Sequence, residues 1–179
     1  MEVFDAIKSR RSIKKFLRKE VEHEKIVKIL EAGRWAPNAG NFQECRFVIV
    51  KDEQKRVKLS EACYGQYWMV EAPVHLVIVS KTEHLKKLFG SRGLEVYIYQ
   101  NAGALIQNML LSIKDLGLGS CWVGAFDEDM VKRELKIPDE MKVMAVLPIG
   151  YPAENPSPPP RIDLEDLVYF ENYGKRLVE

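Results

Sequence analysis

The stretch over residues 98–126, IYQNAGALIQNMLLSIKDLGLGSCWVGAF, constrains this chain's fold more than any other. Ile98, Ala102, Leu105, Ile106, Met109, Leu110, Ile113 and Leu116 recur at three- and four-residue steps, so they stack on one face of a helix. Gln100, Gln107, Lys114 and Asp115 fall elsewhere on the wheel. Burial of such a stripe is worth about 1.5–3 kcal/mol for each fully covered large apolar side chain, which makes the helix a core element. Ala102-Gly103-Ala104 is small enough for another backbone to approach. Gly117 or Gly119 is the natural stop, because glycine accepts the left-handed turn that closes a helix. SCWVG then reads as a short apolar strand. By itself this pattern describes a core helix and strand, and function has to be sought elsewhere in the chain.

At 179 residues the chain suits one domain with a real core. Lys+Arg 27 against Asp+Glu 26 leaves a net charge of +1, which excludes a nucleic-acid protein held by bulk electrostatics but leaves room for a local anion site. Cys45, Cys63 and Cys121 are an odd number of cysteines, widely spaced and without a CxxC. That spacing fits neither a disulfide framework nor a zinc site and points to a reducing compartment. The first residues lack a signal-peptide core and no apolar run reaches membrane-spanning length. The expectation is a soluble cytoplasmic protein with neither a nucleic-acid nor a membrane partner.

Residues 2–9 read as a short helix with Val3, Phe4 and Ile7 inward. RRSIKKF follows. In an extended segment side chains at i, i+2 and i+4 share a face, so Arg10, Ser12 and Lys14 stand together, with Arg11, Ile13 and Lys15 opposite. A guanidinium fork, an ammonium and a hydroxyl on one side make a phosphate clamp. A solvated basic turn is the other reading of the same residues. A helix over 21–34 ends before Pro37. Asn38, Gly40 and Asn41 carry turn chemistry. Asn41 and Gln43 have amides able to bond the mixed donor–acceptor edge of a heterocycle, or simply to satisfy the loop backbone. Residues 47–50 form an apolar run expected to be buried on both faces.

A helix over 53–64 and a strand over 74–80 come next, with His75 a satisfied core or edge residue inside that strand. Residues 81–92 are charged and irregular, and read as a mobile segment near a pocket. No HExxH, histidine pair or Cys/His cluster indicates a metal, and no GxSxG or Cys–His arrangement indicates nucleophilic hydrolysis. The fragment around Gly117 and Gly119 is no dinucleotide fingerprint: it follows a helix, and Trp122 occupies the third glycine's place. Asp127 is an N-cap for a helix through Leu135. Residues 142–150 read as a strand, YPAENPSPPPR as a connector, and 162–179 as an apolar tail that must dock somewhere.

RRSIKKF at 10–16, APNAGNFQ at 36–43, GLGSCWVGAFDED at 117–129, LPIGYP at 147–152 and Arg161, in this order, resemble the short form of the nitroreductase family of flavin mononucleotide (FMN) enzymes over essentially the whole chain. The resemblance implies an α+β three-layer sandwich, a central mostly antiparallel sheet flanked by helices, in an intertwined homodimer. One nitroreductase-like domain would span 1–179, with 152–179 as a proline-rich connector and tail docked on the partner subunit. Two FMN sites would sit at the interface. Arg10, Ser12 and Lys14, with Arg11 between them, match the grip on the phosphate and ribityl end, and Arg161 matches a further basic residue there. Pro37, Asn38, Ala39 and Asn41 match a loop supplied by the neighbouring subunit, with Gln43 close by. Cys121, Trp122, Val123 and Gly124 match the strand end along the flavin ring, with a backbone N–H near N5.

The activity so implied takes hydride from NAD(P)H to flavin N5 and then reduces an electron-poor small molecule, a nitroaromatic, quinone or similar, by a ping-pong cycle. The flavin carries the chemistry, so no catalytic side chain and no metal are expected. A non-catalytic flavin-binding sensor, store or carrier is the alternative. Two departures stand out. Gln43-Glu44-Cys45 replaces the family's common Gln-Pro-Trp, and Lys14 replaces a frequent arginine, keeping the charge but losing the bidentate fork.

Overall fold

The computed structural model describes residues 1–176. Its centre is a four-stranded sheet of order β1-β2-β4-β3, every neighbouring pair antiparallel. The strands are β1 (Cys45–Val50), β2 (Val74–Lys81), β3 (Gly119–Ser120) and β4 (Met141–Gly150). Alternation along β2 and β4 sends side chains to both faces. Leu76, Ile78, Ala145, Leu147 and Ile149 meet α2 (His23–Arg34) and α5 (Ile98–Asp115) through Ile26, Ile29, Ile106 and Met109. Val77, Val79, Val143 and Val146 meet α3 (Glu53–Ala62) and α6 (Glu128–Leu135) through Leu59 and Val131. The result is a three-layer α+β sandwich. Among the described residues no helix is long and apolar enough to cross a membrane.

The central helix buries Ile98, Ala102, Leu105, Ile106, Met109, Leu110 and Ile113, the face its periodicity marked. Gly117, at φ 73°, closes it: Leu118 N–H donates to Ile113 O (2.9 Å) and Gly117 N–H to Lys114 O (3.1 Å). Asp127 caps α6, its carboxylate accepting from Met130 N–H at 2.9 Å. His75 is fully buried in β2, as expected of a core residue.

Several local expectations are overturned. In α1 (Val3–Ser9) only Ala6 is buried, and Val3, Phe4 (64% exposed) and Ile7 face outward. β1 is an edge strand, and within 47–50, where burial on both faces was expected, Ile49 is exposed and Phe47 and Val48 are half-buried. SCWVG keeps strand pairing only at Ser120 and at a bridge from Val123 to Val146. Residues 83–92 form a helix, α4 (Glu83–Arg92), broken at Gly90 (φ 58°) and continued by a π turn over Gly93–Tyr97. Leu85, wholly buried, anchors it, which the surrounding charge concealed. The tail is a separate case: within this single chain α7 (Leu164–Leu167) buries nothing, and Ile162, Leu164, Leu167, Phe170 and Tyr173 (92%) are exposed, which neither meets nor contradicts docking on a partner subunit.

Candidate functional site

RRSIKKF runs beside the short strand β3. Ser12 bridges Ser120 in parallel, and Ile13 N–H donates to Ser120 O at 2.9 Å. Ile13 and Phe16 point into the protein and pack with Ala72. A Cβ on Gly119 would lie 2.8 Å from Ile13 Cγ1, so the close approach of the two segments requires glycine there. With Ile13 turned in, Ser12 and Lys14 are exposed on the other side and Arg10 is half-buried.

Cys121 follows directly after Ser120, the residue that Ser12 bridges. Burial pushes its thiol pKa up, and the neighbouring Ser12 hydroxyl and the Lys14 and Arg10 charges pull it back. Lys14 Nζ also stands 5.4 Å from the centre of the Trp68 ring. Glu154 accepts from the backbone N–H groups of Lys14 (2.6 Å) and Lys15 (3.1 Å), stitching the connector onto this segment. Arg11 is turned away, donating to Lys8 O and Arg10 O at 2.7 Å each, and so caps α1. Arg161 is exposed and donates to Pro159 O (3.3 Å) and Pro160 O (3.1 Å); these contacts hold it to its own segment and not to Arg10.

Beyond Cys121 the strand end opens to the surface. Trp122 is 42% exposed, while Val123 is buried and exchanges two 3.0 Å backbone bonds with Val146. Gly124 is exposed, and a Cβ placed on it would have only Trp122 Nε1 nearby, at 3.9 Å.

The loop after α2 forms a second assembly. Pro37 is exposed and Asn38 half-buried. A 3-10 turn covers Ala39–Asn41, and Gly40, Asn41 and Gln43 all have positive φ (61°, 55° and 51°). Asn38 Oδ1 accepts from Gln43 N–H at 2.9 Å, and Asn101 Oδ1 of α5 accepts from Ala39 N–H at 2.9 Å. Asn101 Nδ2 donates in turn to Glu44 Oε1 at 2.7 Å. Pro37, Asn38, Gln43, Glu44 and Asn101 border a cleft of about 270 Å3 floored by Ala36, Phe47 and Leu105. Among the described residues nothing joins the loop's hydrogen bonds to Arg10, Ser12 or Lys14, so these two sets of expected residues stand apart, as does Arg161. Sequence reasoning missed Asn101, Trp68 and Glu154. The only available signal for Asn101 was a polar side chain near the apolar stripe of α5.

Comparison with known proteins gives these groups a context. The nitroreductase family model matches residues 7–73 and 62–151. A curated NADH dehydrogenase from Thermus thermophilus is 32% identical over 188 residues, spanning 90% of this chain and 92% of its own. An FMN reductase [NAD(P)H] from Bacillus subtilis is 27% identical, spanning 96% of this chain and 74% of its own. The solved structure of an FMN-dependent nitroreductase from Clostridium difficile superposes with a TM-score of 0.82 at 28% identity, covering 95% of this chain and 99% of that one. With the same sheet and helix layers, and with the family's sequence pattern running from the first helix through the last strand, the chain belongs to the nitroreductase family.

Proposed function

We propose that this protein is a cytoplasmic FMN-dependent NAD(P)H oxidoreductase that works as a homodimer. The observation that carries the reading is the pairing of the RRSIKKF segment with Ser120, through the Ser12 bridge and the Ile13 N–H bond, which lays the stretch carrying Arg10, Ser12 and Lys14 alongside the strand end that leads to the open backbone at Gly124. That set suits FMN: two cations and a hydroxyl answer its phosphate, and the uncovered glycine admits its ring. Charge-assisted hydrogen bonds of this kind contribute roughly 1.5–3 kcal/mol each. Bound there, FMN supplies hydride chemistry between NADH or NADPH and an electron-poor acceptor such as a nitroaromatic or a quinone. Arg10 and Lys14 hold the anionic end, and the backbone of 121–124 supports the ring. The exposed face of Trp122 and the loop 37–43 of a neighbouring subunit shape the slot that reductant and acceptor enter in turn.

Homodimer formation follows from uncovered apolar surface. Val3, Phe4 and Ile7 on α1, and Ile162, Leu164, Leu167, Phe170 and Tyr173 in the tail, are too many exposed large groups for an isolated chain. A second copy covers them, and brings Arg161 and loop 37–43 to the neighbouring site. Sedimentation at micromolar protein tests this, and a stable flavin-loaded monomer contradicts it. The functional reading is tested by adding NADH or NADPH anaerobically to FMN-loaded protein. Bleaching of the flavin supports an enzyme, and bound flavin indifferent to both nucleotides makes it a flavin-binding protein.

A further inference from the structure

Glu44 is 3% exposed, an unusual place for a carboxylate. Its Oε1 accepts from Asn101 Nδ2 at 2.7 Å, and its Oε2 has no hydrogen-bond partner among the described residues. A buried carboxylate with one oxygen unpaired is destabilising relative to an apolar residue of similar size. Stability alone therefore does not account for it. What Glu44 does supply is an orientation.

An asparagine amide has a donor end and an acceptor end, and its neighbours decide which way it points. A carboxylate at Oε1 demands the donor end, so Asn101 must turn Nδ2 toward Glu44 and Oδ1 toward Ala39 N–H. Ala39 opens the turn in which Gly40 and Asn41 take left-handed backbone, followed by Gln43 in the same region, a conformation that glycine and asparagine visit readily and glutamine rarely. Gln43 N–H on Asn38 Oδ1 closes the same loop, one residue before Glu44. Glu44, Asn101 and Ala39 thus form a relay from the residue before β1 through α5 into the loop.

We propose that Glu44 is a positioning residue for the cofactor site: acting through Asn101, it fixes loop 38–43 in the shape that receives FMN. This rests on the reading above that the loop faces flavin on a neighbouring subunit. The role belongs to the pair, so it is transferable. The double variant Glu44→Gln/Asn101→Asp exchanges which position carries the charge. Its glutamine amide donates to the new carboxylate, whose other oxygen still accepts from Ala39 N–H.

The test is the equilibrium dissociation constant of FMN, read by quenching of flavin fluorescence on titration into apo-protein, with urea unfolding of each apo-variant alongside. Glu44→Gln keeps an acceptor for Asn101 and should bind FMN within about threefold of the wild type. Glu44→Ala removes the acceptor of Asn101 Nδ2, leaves that side chain held by Ala39 N–H alone among the described residues, and should weaken FMN about tenfold or more. Asn101→Asp sets two carboxylates against one another at a buried bond and should weaken it comparably. The double variant should return to within about threefold. Wild-type affinity in Glu44→Ala, or no recovery in a folded double variant, overturns the relay while leaving the functional reading intact. Wild-type protein that takes up no FMN overturns that reading and the relay with it. Should Glu44→Ala fail to fold, the comparison of Asn101→Asp with the double variant decides.

Discussion

His75 occupies β2, wholly buried, with its Nε2 2.8 Å from Met69 O. The carbonyl can only accept, so Nε2 carries the proton and Nδ1, which has no partner among the described residues, does not. Burial, opposed by the bond to Met69, lowers the ring's pKa from 6.5 to about 4. A group whose folded pKa is depressed contributes its stability above the unfolded value and loses it as pH falls through the folded one. The full neutral-ring contribution is about 3.5 kcal/mol, at about 1.4 kcal/mol per pH unit between the two values, and about 2.5 kcal/mol of it is gone by pH 4.5.

His75→Gln keeps an N–H for Met69 and removes the titration. The assay is urea unfolding of both proteins at pH 7.5 and pH 4.5. Carboxylates titrate in both, so the difference between their losses isolates the ring. With a slope of about 2 kcal/mol per molar urea, the wild-type midpoint should fall by about 1 M more than the variant's. Equal losses in the two proteins would refute the argument that burial keeps His75 neutral.

Three further outcomes follow from the site. Arg10→Ala should weaken FMN binding about tenfold, the equivalent of one lost charge-assisted hydrogen bond, as measured by flavin retained after dialysis. Gly124→Val should leave the apo-protein's stability to urea within about 0.5 kcal/mol of wild type, because the new Cβ meets open space, yet should lose flavin occupancy. Cys121→Ser should keep the anaerobic rate of flavin reduction, because burial raises the Cys121 thiol and leaves it a poor nucleophile; loss of that rate with flavin still bound would give the thiol a chemical role.

The sequence was most legible where one local rule decided the outcome. The stripe from Ile98 to Ile113, the Asp127 cap and the Gly117 stop are each set by neighbours within a few residues, and the structure reproduces all three. The alternation was readable only as far as Lys14: Ile13 turns inward and Ser12 and Lys14 outward, but Lys15, expected on the Ile13 face, is exposed and Phe16 is buried. The misses were decided by distant partners. Nothing within 45–50 reveals that β1 has a neighbour on one side only. An amphipathic α1 says that a face needs cover and not which surface supplies it. The relay joins Glu44 to Asn101 across 57 residues, so the pair is invisible to motif and period alike. The short extent of β3 is likewise a matter of pairing, since the apolar run SCWVG continues past the last residue paired in that strand.

The central claim is that the segment at 10–14 and the strand end at 121–124 hold a flavin that nicotinamide reduces. The direct measurement is the absorbance of FMN-loaded protein under anaerobic addition of NADH or NADPH, followed by a nitroaromatic or a quinone. The account predicts that the flavin band bleaches with at least one nucleotide and returns when the acceptor is added, and that Arg10→Ala needs more FMN to reach the same amplitude. A wild-type protein that binds no FMN, or one that holds it and bleaches with neither nucleotide, would contradict it.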